Sequence, residues 1–216
     1  MSGDIVHLTT AEIEAGLDHV RASPSDHGTL DLIVQRPEVD ARVVLAEAEL
    51  NVEEGLAGDN WNQRSSSRTE DGGPHPDMQL NIMNARILAH LAGSPERMTL
   101  AGDQLIVDLD LSESNLPAWT KLAIGDAVIE ITDQPHQGCA KFTQRFGLDA
   151  HRFVNSEVGT ELHLRGVNAR VVTPGTIRQG DTIRKIRVGS YSSSWCPGGS
   201  RCRRGVQLWR LVLPGR

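Results

Sequence analysis

From Asp103 to Ile186 the chain is cut into short β-forming runs by closely spaced turn residues. Gln104–Asp108 is one run, and Lys121–Ile124 and Ala127–Thr132 form a hairpin around Gly125-Asp126. Val167–Thr173, a Pro174-Gly175 turn and Asp181–Ile186 follow. Alternating βαβ units would place a full helix between successive strands, whereas strands this short and this closely spaced suit a barrel. Two short helical patterns, around Phe142 and Phe153, interrupt the series. The expected class is mostly β with several helices, an α+β β-barrel, with no internal repeat.

The first hundred residues are more mixed. Thr9 and Glu12 stand at capping-box spacing, and Ile13, Leu17 and Val20 share one helix face before Ser23-Pro24 ends it. Thr29–Gln35 reads as a strand closed by Arg36-Pro37. Residues 42–50 read either way: Val43 and Leu45 alternate, while Ala46–Leu50 favours helix. Gly55 and Gly58 bracket a turn into Asp59-Asn60-Trp61, and residues 62–77 form a long polar loop. Met78–Met83 reads as strand and Asn84–Leu91 as helix, with Asn84 as cap and Gly93 as stop. The expected division is an N-terminal helix and strand (1–40) packed on the barrel, the barrel domain (41–187) and a flexible basic tail (188–216). Gln207–Leu213 in that tail is expected as a small added strand.

Charge narrows the function classes. The net charge is −6 over 216 residues, but residues 188–216 carry five arginines and no acid, leaving −11 on the first 187. An acidic body disfavours phosphate-backbone binding, so no nucleic-acid partner is expected. No apolar run reaches the ~18 residues that suggest a membrane span, and the first residues lack a secretory pattern. Cys139, Cys196 and Cys202 are too few and too unevenly placed for a disulfide framework. Cys196 and Cys202 match no zinc spacing and read as incidental thiols. A reducing cytoplasm is the expected location.

Cys139 is the residue most suggestive of chemistry. It ends Asp133-Gln134-Pro135-His136-Gln137-Gly138 and opens the helical pattern Ala140–Phe146. A thiol at a helix start lies near unpaired N–H groups and the positive end of the backbone dipole, which favours thiolate. His136, Lys141 and Arg145 add positive potential or proton transfer. The competing reading is a small buried core residue.

An ordered set of segments surrounds this cysteine: Gly102-Asp103-Gln104-Leu105, Asn115-Leu116-Pro117, Leu122–Asp126, Ile129–Thr132, Phe153-Val154-Asn155, Arg165–Val172, Pro174-Gly175 and Gly180-Asp181. Together with Gly55–Trp61 upstream, the set resembles the MOSC domain, named for the C-terminal domain of molybdenum cofactor sulfurases, over about residues 50–187. The resemblance implies a β-barrel with its active cysteine at one end. It also implies that the cysteine ligates molybdenum of the pterin cofactor or carries sulfur, with some members reducing N-hydroxylated compounds. A soft thiolate suits a metal already held by a dithiolene pair.

On that footing Cys139 is the expected metal ligand and, with His136, the expected catalytic pair. Lys141, Arg145, Arg165, Asn168, Arg170 and Asp59 are expected around the molybdopterin, arginine because its planar fork suits phosphate. For these charged side chains ordinary surface charge is the competing reading. Trp61 and His75 read equally as pocket or packing residues, and Asn115 as a turn residue. Full-length sulfurases carry a pyridoxal-phosphate cysteine desulfurase domain that this chain has no room for, so any pyridoxal phosphate is expected only through a partner. The expected partners are a small-molecule substrate and an electron-donor protein or a cysteine desulfurase. The alternatives are a persulfide carrier, a binding module without chemistry, a zinc site needing a third ligand, or a cysteine hydrolase pairing Cys139 with His151 or His163.

Overall fold

The computed structural model of the chain describes residues 6–186. Cys196, Cys202 and the added strand expected at 207–213 lie outside the described residues. The N-terminal helix forms as two pieces, α1 (Thr10–Ala15) and α2 (Leu17–Arg21), joined at Gly16. The capping box is made: Thr9 Oγ1 accepts from the Glu12 amide at 3.4 Å, and the Glu12 carboxylate accepts from the Thr9 amide at 2.8 Å. Strands β1 (Gly28–Gln35), β2 (Val43–Leu45), β3 (Glu47–Asn51) and β4 (Gly55–Leu56) follow. The ambiguous 42–50 stretch is therefore strand. Ala48 and Leu50 alternate inward and pair with Ile177 and Gly175, and that long-range pairing overrides the helix propensity of Ala46–Leu50.

Next come β5 (Leu80–Asn84), α3 (Ala85–Ala92), α4 (Pro95–Met98) and β6 (Leu105–Asp108). Asn84 ends the strand and caps the helix, its Oδ1 accepting from the Arg86 and Ile87 amides. Gly93, at φ 70°, stops that helix in the left-handed region where a side chain would be strained. The hairpin β7 (Lys121–Ile124) and β8 (Ala127–Ile131) is formed as expected. Three helices follow where two were expected: α5 (Ala140–Phe146), α6 (Leu148–Val154) and α7 (Glu157–Glu161). The chain ends its described part with β9 (Val167–Thr173), β10 (Gly175–Arg178) and β11 (Thr182–Lys185).

Seven strands close on themselves in the order β1-β11-β7-β8-β9-β5-β6, and β2 lies on β1 outside the ring. The ring pairs antiparallel except at β5–β6, where α3 and α4 carry the chain back to a parallel neighbour. The 1–40 segment is thus more than a piece packed on the barrel, because β1 is one of its staves. A bulge between Leu30 and Leu32 puts Leu30 and Ile33 inside the barrel and turns Leu32 toward the helices. A small sheet, β10-β3-β4, adds Ala48, Leu50, Leu56 and Ile177 to the barrel core.

A second core lies outside the barrel wall. Met83 and Ile106, outward on β5 and β6, pack with Ile13, Leu88, Phe142, Phe146 and Val154 from the helices. Phe142 and Phe146 stand one turn apart on α5 with ring centroids 4.9 Å apart. Burial of each such side chain is worth about 1.5–3 kcal/mol. This packing fixes the buried face of α5, and with it the direction in which the helix presents its polar face.

Candidate functional site

Lys141 and Arg145 share that polar face, and Cys139 is the N-cap residue of α5. The cysteine side chain makes no capping hydrogen bond. It is exposed, and it lines a cavity of about 750 Å³. The loop that delivers it is clamped from α6: the Gly138 amide donates to Asn155 Oδ1 at 3.0 Å, and the Gly138 carbonyl lies 3.0 Å from His151 Nε2. A Cβ on Gly138 would stand 3.0 Å from both Asn155 Nδ2 and His151 Cδ2, so glycine is what lets this clamp close.

Two buried arginine–aspartate pairs form the cavity floor. Arg36, directly after β1, is buried, donating through Nε and NH2 to Asp59 at 2.8 Å each and through NH1 to Asn81 Oδ1 and the Gly102 carbonyl. Asp59 also accepts from the Arg36 and Trp61 amides, so it caps the turn at Asn60–Gln63 while neutralising Arg36. Arg165 donates to both Asp103 oxygens at 2.9 and 2.7 Å, with its guanidinium 4.9 Å from the Phe142 ring centre. Burial pushes the Asp103 carboxyl upward, and Arg165 beside it opposes that push.

The remaining cations stand higher on the wall. Lys141 Nζ and Arg145 NH2 both donate to Asp40 Oδ1, at 3.0 and 2.7 Å, on the loop between β1 and β2. Asp40 is held below the usual carboxylate range by its hydrogen bond from Lys141. Arg42 and Arg64 differ from the other four. Asp59, Asp103 and Asp40 pair with Arg36, Arg165, Lys141 and Arg145, while among the described residues neither Arg42 nor Arg64 has a carboxylate within ion-pair distance, and Glu38 lines the cavity without an ion pair. Desolvation, then repulsion from Arg36, holds Arg64 down to about 10. Desolvation, then repulsion from Arg145, lowers Arg42.

Three buried nitrogens around this cavity have no hydrogen-bond partner: Arg42 Nε, His136 Nδ1 and Arg165 Nε. Such groups are costly to bury unsatisfied. His136 Nδ1 lies 3.6 Å from Asp103 Oδ1, too far for a hydrogen bond. Desolvation first, then the charges of Arg165 and Arg36, hold His136 well below its usual range, so its ring is neutral at pH 7.

The structure brings Cys139, His136, Lys141, Arg145 and Arg165 to one cavity. It places the other three expected binding residues elsewhere. Asp59 lies beneath the lining and acts through Arg36. Asn168 is fully buried, tying Asn81 Nδ2 at 2.6 Å to the Gln134 carbonyl at 3.0 Å. Arg170 pairs with Asp77 and Glu130 over the exposed Trp119 ring and lines no cavity described here. The sequence reading missed Arg36, Arg42, Arg64 and Asp103 as site residues. Asp103 carried a signal, following Gly102 in Gly102–Leu105 as Asp59 follows Gly58, whereas Arg42 and Arg64 lie in irregular loops and carried none.

The geometry also bears on the alternatives. His151 turns its Nε2 to the Gly138 carbonyl and His163 its Nδ1 to the Leu111 carbonyl, so neither is paired with the Cys139 sulfur. Trp61 and His75 line a separate small cavity with Arg64, and His75 Nδ1 accepts from the Asp77 amide. Among the described residues no three His, Cys, Asp or Glu side chains come together as metal ligands. No helix there is long and apolar enough to cross a membrane.

Comparison with known proteins agrees with this architecture. Among curated protein sequences none matches the chain significantly. Among solved structures, one described as a hypothetical protein is 22% identical, covering 76% of this chain and 71% of its own, with a TM-score of 0.52. The YUAD protein from Bacillus subtilis is 14% identical over 72% of this chain and 93% of its own, with a TM-score of 0.51. YiiM from Escherichia coli is 21% identical over 74% and 70%, with a TM-score of 0.49. The first two, with TM-scores above 0.5, speak at these identities to fold alone. A family model, the MOSC domain, matches residues 72–184, just over half of the chain, and on that match the chain belongs to the MOSC domain family.

Proposed function

We propose that the cavity holds a molybdenum–pterin cofactor with Cys139 as its protein metal ligand, and that the protein reduces N-hydroxylated compounds. The observation that carries this reading is the set of three unsatisfied buried nitrogens and two arginines in no ion pair around one cavity with a cysteine on its wall. A phosphate monoester would satisfy such donors, since charge-assisted bonds from guanidinium to phosphate are strong and directional. Arg42 and Arg64 are the residues to hold that phosphate, because their charge is already spent on no carboxylate. The Cys139 sulfur suits a soft metal carrying further sulfur ligands. When bound, the cofactor supplies a metal centre able to pass two electrons.

The chain's own residues do the rest. Arg36 and Arg165, locked by Asp59 and Asp103, keep a fixed positive floor that needs no reorganisation when an anion arrives. His136, neutral, holds one ring proton and one lone pair and adds no charge beside the metal. Reduction of N–OH to N–H consumes two electrons and two protons and releases water. His136, on the wall of the same cavity, is the residue assigned to relay the protons, and the electrons come from an external donor protein. Protein isolated from a cofactor-competent host should reduce an N-hydroxylated base when given such a donor, and Cys139→Ser should abolish the activity. A cofactor-loaded wild type without activity on this class would overturn the redox reading.

The exposure of Cys139 favours a second reading, that it carries persulfide sulfur received from a pyridoxal-phosphate-dependent cysteine desulfurase. Incubation with an active desulfurase should then add the mass of one sulfur atom to the Cys139 peptide. An unmodified peptide would count against the carrier role and leave the redox role standing.

A further inference from the structure

Both peptide groups of Gly138, the residue before the cysteine, are held by α6. Its amide donates to Asn155 Oδ1 at 3.0 Å. Its carbonyl, which can only accept, lies 3.0 Å from His151 Nε2 and 3.5 Å from Asn155 Nδ2, so the His151 ring proton sits on Nε2. Asn155 Nδ2 also donates to the His151 carbonyl at 2.9 Å, which ties the two clamp residues to each other. On the other side of the sulfur, the Cys139 carbonyl accepts from the Thr143 amide at 3.0 Å and from Thr143 Oγ1 at 3.3 Å. With its backbone held from both sides, the cysteine keeps χ1 as its free torsion. The two helices that do the holding share one core through Phe142, Phe146, Ala150 and Val154. Behind α5 and the clamp, α6 also walls a second cavity of about 310 Å³, floored by Leu116, Ile131, Val154 and Val167. His136 lines both cavities and is the partition between them. Asn155 lines the second cavity and not the first, and His151 lines neither. Both therefore act on the larger cavity only through Gly138 and the cysteine it carries.

We propose that Asn155 and His151 are positioning residues for Cys139, gripping Gly138 so that the sulfur stays among the cations of the larger cavity. Without that grip a glycine, which has no Cβ to restrict it, lets the approach loop sample many conformations, and the sulfur spends part of its time in bulk solvent. Direction matters more to such a site than exposure does, because a misplacement of about 1 Å can cost on the order of a hundredfold in rate. The assignment deepens the proposed function, since it rests on Cys139 as the reactive residue. It holds for metal ligation and for sulfur transfer alike, because both need the sulfur aimed at the same space.

The test compares iodoacetate with iodoacetamide, close in size and different in charge, by their rates of alkylation at the Cys139 peptide. The protein is the full chain made in a host without the cofactor. Both reagents consume the thiolate, so their rate ratio cancels the ionised fraction and general exposure and reports the potential where the sulfur dwells. Six arginine and lysine side chains line the cavity among the described residues, so the wild type should favour iodoacetate by about fivefold or more relative to N-acetylcysteine, and less at high salt. Asn155→Ala and His151→Ala should each lose most of that preference while keeping or raising the iodoacetamide rate. His151→Gln, whose amide can donate where the ring Nε2 does, should keep it. If Asn155→Ala fails to fold, Gly138→Ala opens the same clamp, its Cβ standing 3.0 Å from Asn155 Nδ2 and His151 Cδ2. Folded alanine variants with the wild-type ratio, or His151→Gln behaving as His151→Ala, would overturn the assignment. A wild type without preference for the anion would overturn it together with the anion-ready cavity. Loss of preference in Asn155→Ala, beside a wild type that takes up no molybdenum in a cofactor-competent host, would overturn the cofactor reading and leave the assignment standing.

Discussion

The two cavities that meet at His136, Gln137 and Arg165 differ most in their cations, the larger lined by six arginine and lysine side chains and the smaller by Arg165 alone among the described residues. The larger one gathers donors: guanidiniums and an ammonium from β1, the loop after it, the turn at Asn60–Gln63 and α5. The smaller one mixes the carboxylates of Glu113 and Asp133 with the amides of Gln134 and Gln137 and the Thr160 hydroxyl, over aliphatic side chains from the barrel rim and α6. Within the larger cavity a second contrast appears. Arg36 and Arg165 are buried and each held by an aspartate, whereas Arg42 is half-buried, Arg64 is exposed, and neither is in an ion pair among the described residues. Buried charges paired this way brace a structure, and cations brought together without acids are positioned for an anion from outside.

Breaking a floor pair should have the largest effect. Asp103→Ala leaves Arg165 charged, buried and uncompensated, and should cost about 3–5 kcal/mol in a denaturant titration. Asp59→Ala should cost a similar amount, since Asp59 also accepts from two backbone amides. A loss below about 1 kcal/mol would mean that these pairs are ordinary surface pairs, against the contrast drawn here.

Arg42→Ala and Arg64→Ala should behave in the reverse way. Each removes about 1.5–3 kcal/mol of phosphate affinity, roughly tenfold or more by titration, while leaving thermal stability unchanged or slightly raised because mutual repulsion is relieved. Equal losses of stability and affinity would erase the distinction between floor and wall.

His136 sharpens the comparison through pH. Its pKa is lowered in the folded state, so above about pH 6.5 both folded and unfolded rings are neutral and its contribution to stability is constant. As the pH falls below that value the unfolded ring takes a proton that the folded ring refuses. Stability should then fall by up to about 1.4 kcal/mol per pH unit relative to His136→Gln. Parallel wild-type and variant curves between pH 5 and 7 would contradict a neutral, buried partition. The smallest effect belongs to Asp40→Asn, which releases Lys141 and Arg145. It should leave stability little changed and tighten phosphate binding by no more than a few-fold.

Local signals in the sequence carried far into the fold. The Thr9–Glu12 box, Asn84 as cap, the β7–β8 hairpin and the barrel class were all legible, because each depends on neighbours within a few residues or on strand spacing. The 42–50 stretch was not, because the strand that pairs along the whole of Glu47–Leu50 lies more than a hundred residues away. The site divides along the same line. Cys139, His136, Lys141 and Arg145 sit on one short segment and were found together, and Arg165 came with the family segments. Arg36, Arg42 and Arg64 reach the cavity only once β1 closes the barrel against β6 and β11, which no local pattern announces. Asn168 and Arg170 point outward on β9 between the core residues Val167, Ala169 and Val171, toward the Asp133–Gln134 segment and Trp119 rather than the cavity.

The proposed pairing of an anion-ready wall with a metal-binding sulfur is tested most directly by the molybdenum content of protein isolated from a cofactor-competent host. The wild type should carry near-stoichiometric molybdenum, Cys139→Ser should lose it, and the Arg42→Ala, Arg64→Ala double variant should retain only a small fraction while remaining folded. A folded wild type without molybdenum, or equal content in all three, would contradict the account.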